Sequence, residues 1–376
     1  MRRTEKLLRE LIALPSVNPA FLPAGDARAT ERHVADFVAA VAARAGLDVE
    51  LQKVLPGRSN VIARLTPAGK PRRRILLAPH LDTVPAADES QFVPRKKNGR
   101  LFGRGACDTK GSVAAMLVAL GEIAAGKSRP RETEIVFAGL VDEENAQAGS
   151  RALADSGFKA DLAIVGEPTR LRIVTAHKGS LWLELATHGK SAHGALPHLG
   201  RNAVHAMARV VDALETDYAA SLRRRRHALL GSATISVGTI HGGTQPNVVP
   251  DSCTITVDRR TLPGETEVGV RREITRFLAK RNLRAAFSST KLAPCVPMET
   301  DPTLPLVQQF LRSAGQRAPA GVHFFCDAAV LADAGIPSVV FGPGDIGHAH
   351  TADEWISLAS LARAKEMLRK FLSTLP

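Results

Sequence analysis

The sequence predicts an α/β protein built on a mostly parallel sheet, with a smaller ferredoxin-like α+β domain inserted into it. Three observations carry this expectation. Apolar runs of strand length alternate with helical patterns over the first 170 residues, the signature of a parallel sheet. The middle of the chain then reads β-α-β-β-α-β. Finally the α/β pattern resumes, which makes the middle section an insertion. Residues 1–176 and 292–376 should form the larger domain and residues 177–291 the inserted one.

In chain order, MRRTEKLLRELIALPSVNP carries charges throughout. It reads as an amphipathic helix ending before Pro15 and has no uninterrupted signal-peptide core. Strands are expected at Asn60–Leu65, Ile75–Ala78, Glu134–Val141 and Leu162–Val165. Between them, GSVAAMLVALGEIAA (Gly111–Ala125) is long and rich in Ala and Leu, hence helical, and Ser150–Ser156 is a shorter helix. In the insertion, Leu181–Thr187 alternates like a half-buried strand and Asn202–Asp217 is an amphipathic helix. Strands Ala233–His241 and Ser252–Arg260, helix Glu265–Lys280 and strand Leu283–Ser289 complete it. Helix Leu304–Ser313, strand Ser338–Phe341 and helix Leu358–Leu372 return to the outer domain.

Composition narrows the function. At 376 residues the chain is long for a single core, and 44% hydrophobic with 23% charged residues is ordinary for a globular protein. No apolar run approaches the roughly 18 residues of a membrane span, so no membrane partner and a cytoplasmic location are expected. Cys107, Cys253, Cys295 and Cys326 show no CxxC spacing, which argues against a thiolate cluster and suits a reducing compartment. The net charge of +13 and the run Arg223–Arg226 raise nucleic-acid binding. The excess is spread along the chain, however, and aromatics are only 4%, so no nucleic-acid partner is expected and the run reads as a solvated helix face or loop. A positive field can gather small anionic substrates instead.

The chemistry lies where the outer strands end. ILLAP is followed by His80 and Asp82, IVFAGLV by Asp142, Glu143 and Glu144, LAIVG by Glu167, and SVVFGPG by His348 and His350. In an open parallel sheet the carboxyl edge is where ligand sites form. Side chains two apart on an extended chain share a face, so Asp82 can accept the N–H of His80 and leave its other nitrogen to a metal. Asp108, in GRGACDTKG ahead of a helix, fits capping equally well until it is placed beside these groups. Two His and three carboxylates are too many for one catalytic zinc and suit two ions, each with one His and one terminal carboxylate, sharing an Asp.

These residues resemble the dinuclear zinc deacylases and exopeptidases, the family of acetylornithine deacetylase, succinyl-diaminopimelate desuccinylase, aminoacylase and glutamate carboxypeptidase. The resemblance runs from HLDTVP through GRGACDTKG, DEE, GEPT, SAHGALPHLGRNA, NVVPD and DRRTLPGE to FGPG and AHTADE. It implies His80 and Glu167 on one metal, Glu144 and His350 on the other, Asp108 as the bridge, Glu143 as general base and Asp82 as the residue orienting His80. His348 competes with His350, and the AHT context favours His350. The implied cofactor is a pair of divalent ions, zinc with cobalt or manganese as alternatives. The implied reaction is hydrolysis of the amide bond of an N-acyl amino acid by a metal-bridged hydroxide, with a dipeptidase or carboxypeptidase as alternative. The inserted domain resembles the family's lid and dimerisation domain, which implies a homodimer in which His193 stabilises an oxyanion in the partner's site. Asn247, Arg260, Gly342 and Gly344 are implied substrate-carboxylate contacts. By strand alternation Arg259 faces away from Arg260. One departure is NAQAGS after the Glu-Glu pair, where relatives often place Gly directly.

Overall fold

In the computed structural model, which describes residues 2–126, 129–289 and 295–376, the run ILLAP becomes the strand Arg73–Pro79 at the centre of a mixed α/β sheet. The chain divides into two units, the first comprising Met1–Thr175, Glu299–Ala320 and Cys326–Pro376, the second Ala176–Met298 and Gly321–Phe325. The first division falls between Thr175 and Ala176. The expected joint near 291 lies outside the described residues.

In the first unit the strands lie side by side in the order Asp48–Leu55, Arg58–Leu65, Thr133–Gly139, Arg73–Pro79, Leu162–Gly166 and Ser338–Val340. Arg73–Pro79 is parallel to both its neighbours, and Ser338–Val340 is parallel to Leu162–Gly166. The first two strands join antiparallel at one edge. Central strands are near-continuous apolar runs because both their faces are covered; Ile75 to Pro79 and Leu162 to Gly166 are buried throughout. The expected helix is Lys110–Ala125. It is apolar all round, buried from Lys110 to Gly121, and packs against the C-terminal helix Leu358–Ser373. Phe137, Ile164, Leu117, Phe310, Phe341 and Phe371 belong to this unit's core.

The second unit holds a four-stranded antiparallel sheet ordered Thr234–Gly242, Ser252–Thr261, Gly179–His188, Ala286–Ser289. Numbered along the chain that is second, third, first, fourth, with a helix in each crossover, which is the ferredoxin-like arrangement. Its core joins Leu183, Leu185, Ile255 and Val257 from the two inner strands to Met207, Val210, Ile274 and Leu278 from the helices. The first helix, Ala203–Ala213, does not stop at Asp217. A π-helical turn, Leu214–Tyr218, carries it on to Ala219–Arg223. Of the arginine run, Arg225 pairs with Glu273 at 2.7 Å and the others are exposed. Among the described residues no helix is long and apolar enough to cross a membrane.

Candidate metal centre

Parallel strands bring their carboxyl ends to one edge, and the first unit places its acids and imidazoles there. His80 follows Pro79 directly and is still bridged to Leu140, so the loops after Pro79 and Gly139 leave the sheet together. Leu81 points the other way and is fully buried. It fits because Gly139 has no side chain: a Cβ there would meet Leu81 Cδ2 at 3.0 Å. Gly166 plays the same part ahead of Glu167, since a Cβ would lie 2.8 Å from Ser112 Cβ and 2.9 Å from Pro79 Cβ.

Two groups of donors result. His80 Nε2 lies 3.1 Å from Asp108 Oδ1 and 3.8 Å from Glu167 Oε1. His350 Nε2 lies 3.2 Å from Asp108 Oδ2 and 3.2 Å from Glu144 Oε1. Within each group one ligand atom per residue falls inside 4.8 Å of the others, and Asp108 belongs to both, one oxygen facing each group. His350 adopts φ +62°, a backbone conformation that costs a non-glycine residue roughly 1–3 kcal/mol and that clusters at functional sites. His348, the competing imidazole, is instead stacked on Trp355, ring centroids 4.2 Å apart.

Asp82 holds the other half of the site together. His80 Nδ1 is 3.0 Å from the carbonyl oxygen of Asp82 and 3.4 Å from its Oδ1. A proton held at Nδ1 by these two acceptors would leave Nε2 as a lone-pair donor once a cation took the place of the proton there. The same carboxylate accepts the backbone N–H groups of Glu143 and Glu144, both at 3.1 Å, and the Asn18 side-chain amide at 2.7 Å.

The electrostatics suit cations. Burial, the largest effect at each, raises Glu143, Glu144 and Glu167 above the ordinary glutamate range. Burial also works against charge on His80, yet its bonds to Asp108 and Asp82 raise it well above an ordinary imidazole. His350 is raised to about 10, chiefly by Asp108 and then by Glu144. Protons are thus drawn onto both rings to offset a surplus of buried carboxylates, a task two divalent ions perform better. Glu167 Oε1, buried and without a hydrogen-bond partner among the described residues, is the kind of orphan acceptor that a cation satisfies. The residues present fit two such ions.

Of the remaining expected residues, His193, Asn247 and Arg260 belong to the second unit and Gly342 and Gly344 to the first. His193 and Asn247 are neighbours in the second unit: His193 is bridged to Val248, and Gly194 N–H donates to Asn247 O at 2.7 Å. Both side chains are exposed, and His193 Nδ1 accepts the N–H of Ala195. Arg260 is half-buried and paired with Asp258 at 2.9 Å, while Arg259 is fully buried against Glu265 on the opposite face. The N–H of Gly342 donates to Thr169 Oγ1 at 3.1 Å and that of Gly344 to Ser360 Oγ at 3.4 Å, so both already have acceptors within the fold. Their lack of a side chain serves close packing, because Cβ atoms there would press on Glu167 O at 2.5 Å and Cys107 Sγ at 2.5 Å.

Several supporting residues could not be assigned a role from the sequence, although Glu354 closes the AHTADE motif. Asn18 bridges Asp82 and Asp142, and Arg58 ties Asp142 to the fully buried Glu31. Ser150 donates to the buried Asp327 at 2.5 Å, and burial raises that acid to about 6. Glu354 binds the loop that carries Asp108. A polar residue at a loop start, as in SVNP, was the only hint available for Asn18.

Against known proteins, the description "Peptidase family M20/M25/M40" matches residues 76–374. The chain belongs to this family. It is a metal-dependent hydrolase. An acetylornithine deacetylase from Myxococcus xanthus is 32% identical over 351 residues, covering 89% of this chain and 90% of the relative. Among solved structures, aminopeptidase PepT from Bacillus cereus superposes with a TM-score of 0.79 at 22% identity, covering 99% of this chain and 98% of that one. A dinuclear metal-binding M20 peptidase from Bacillus subtilis gives 0.69 at 16% identity, covering 99% and 97%. At such identities these two speak for the fold.

Proposed function

We propose that this M20 hydrolase removes the acyl group from N-acyl amino acids, as an acetylornithine deacetylase does, using two divalent ions held by His80, Asp108, Glu144, Glu167 and His350. One observation supports the reading most: Asp108 turns one oxygen toward His80 and the other toward His350, with a terminal glutamate beside each. Zinc fits the His and carboxylate donors, and cobalt or manganese can share them. When bound, the ions would acidify a water and polarise the acyl carbonyl.

The chain's own residues do the rest. Glu143 stands next to Glu144 but belongs to neither ligand group, since successive side chains point apart. Burial raises its carboxyl, which makes it basic enough to take a proton from the attacking water. It then gives that proton to the leaving nitrogen as the C–N bond breaks, releasing a carboxylate and a free amine without an acyl-enzyme. Asp82 keeps His80 aimed and fixes the turn that presents Glu143.

In this reading the protein is a cytoplasmic homodimer. His193 completes a partner copy's site by stabilising the oxyanion, and Asn247 with Arg260 holds the substrate carboxylate. His193 uses Nδ1 as an acceptor, which leaves Nε2–H to donate. The second unit's exposed edge strand Thr234–Gly242 suits pairing between copies, and four buried cysteines without CxxC spacing suit a reducing compartment. A hydrolysis panel of N-acetyl and N-succinyl amino acids and dipeptides, run on apoprotein supplied with each metal, tests it. Turnover led by N-acetyl substrates is expected. Turnover confined to dipeptides makes the protein a peptidase of the same family.

A further inference from the structure

We infer that Glu354 is a positioning residue: its buried carboxylate fixes the Arg104–Asp108 loop and so holds Asp108 between the two ligand groups. The inference rests on the metal-centre reading above and assigns a residue outside it. It begins with a ladder. The strand Trp355–Ser357 pairs antiparallel with Arg100–Phe102, and the pairing continues one step further as Gly103 N–H donates to Glu354 O at 3.0 Å. Past that step the chain turns sharply. Gly103 and Gly105 take φ +153° and +79°, and a Cβ on Gly103 would lie 2.5 Å from Ile12.

The turn wraps around the Glu354 side chain. Oε2 accepts from Arg104 Nη1 at 2.6 Å and from Gly105 N at 2.9 Å. Oε1 accepts from Cys107 N at 2.8 Å and from Asp108 N at 3.0 Å. Glu354 is 1% exposed and Arg104 2%, so both ends of the ion pair are withdrawn from water. Four donors from five consecutive residues on one carboxylate leave the loop one arrangement, and the last of them is the amide of Asp108 itself. Glu354 also follows His350 by four residues, so a single side chain ties the loop of the shared ligand to the loop of a terminal one. Metal-site partners of this kind typically change affinity 10–100-fold when removed.

Glu354→Gln keeps the shape but removes the charge and turns one acceptor into a donor. Cobalt(II) titration of the apoprotein, followed by calorimetry well below the unfolding temperature and by the magnetic coupling of the two ions, reads the result. We expect wild type to bind two cobalt ions and Glu354→Gln to bind the second about 10–100-fold more weakly, with coupling lost and circular dichroism unchanged. A residue that only supported stability would lower the unfolding temperature and leave affinity and coupling alone. Should Glu354→Gln not fold, Glu354→Asp keeps the charge, withdraws it by one methylene, and is held to the same two readouts. A folded variant that binds both ions as tightly as wild type, still coupled, overturns the inference and spares the metal centre. Wild type that takes up no cobalt overturns both.

Discussion

Asp82 has four duties at once, because one carboxylate orients His80, holds two consecutive backbone N–H groups and accepts from Asn18. Asp82→Asn preserves volume but cannot satisfy all four neighbours, so both metal affinity and kcat should fall, each about 10–100-fold. Equilibrium metal binding beside kcat checks this, and an unchanged affinity would limit Asp82 to presenting Glu143. The residues proposed for the chemistry could be singled out in the sequence because most follow a strand of recognisable pattern, while Asp108 stands ahead of a helix. Apart from Asp82, those steadying them could not. Asn18, Arg58 and Glu354 act through bonds spanning 64, 84 and about 250 residues, and no periodicity records such partners.

At the scale of elements, the strands with continuous apolar runs were legible and the edges were not. Asp48–Leu55 was missed because, as an exposed edge strand, its residues DVELQKVL show no apolar run, and its partner Arg58–Leu65 organises it. The helix Arg32–Arg44 was not among the expected elements; Thr30 Oγ1 accepts the N–H of Arg32 at its start, and Glu31 is spent on Arg58. The π turn after Ala213 has no Pro or Gly to announce it. Packing between elements gives a sharper test. Gly166 lets the end of Leu162–Gly166 lie against Pro79 and the Lys110–Ala125 helix. Gly166→Ala should therefore destabilise the protein by about 1–3 kcal/mol through overpacking, and displace Glu167 with it. Denaturant unfolding with metal analysis checks both effects.

The whole molecule carries a pH signature outside the metal centre. His177, in the second unit, is buried, donates through Nδ1 to Lys178 O at 2.9 Å, and faces the edge of Phe325. Burial lowers it from 6.5 to about 4. The unfolded chain therefore binds the extra proton first, and stability contributed by the neutral ring is present above pH 6.5 and is lost as pH falls toward 4. The loss amounts to about 3 kcal/mol at most, and His177→Gln should flatten that slope in urea unfolding between those limits. An identical slope in the variant would place the sensitivity elsewhere. Assembly has its own test. Co-expressed His193→Ala and Glu143→Gln chains, each inactive alone, should recover roughly a quarter of wild-type activity, since about half of randomly paired dimers are mixed and each has one whole site. Mixed dimers that stay at background would remove His193 from the partner's site.

The central claim is that five residues hold two ions while Glu143 is left free to move a proton. Bound metal and kcat measured together on Glu143→Gln test it most directly. Two ions per chain, with kcat lower by roughly 10²–10⁴-fold, is the result expected of a lost base beside intact ligands. Loss of one ion, or turnover near that of wild type, would contradict it.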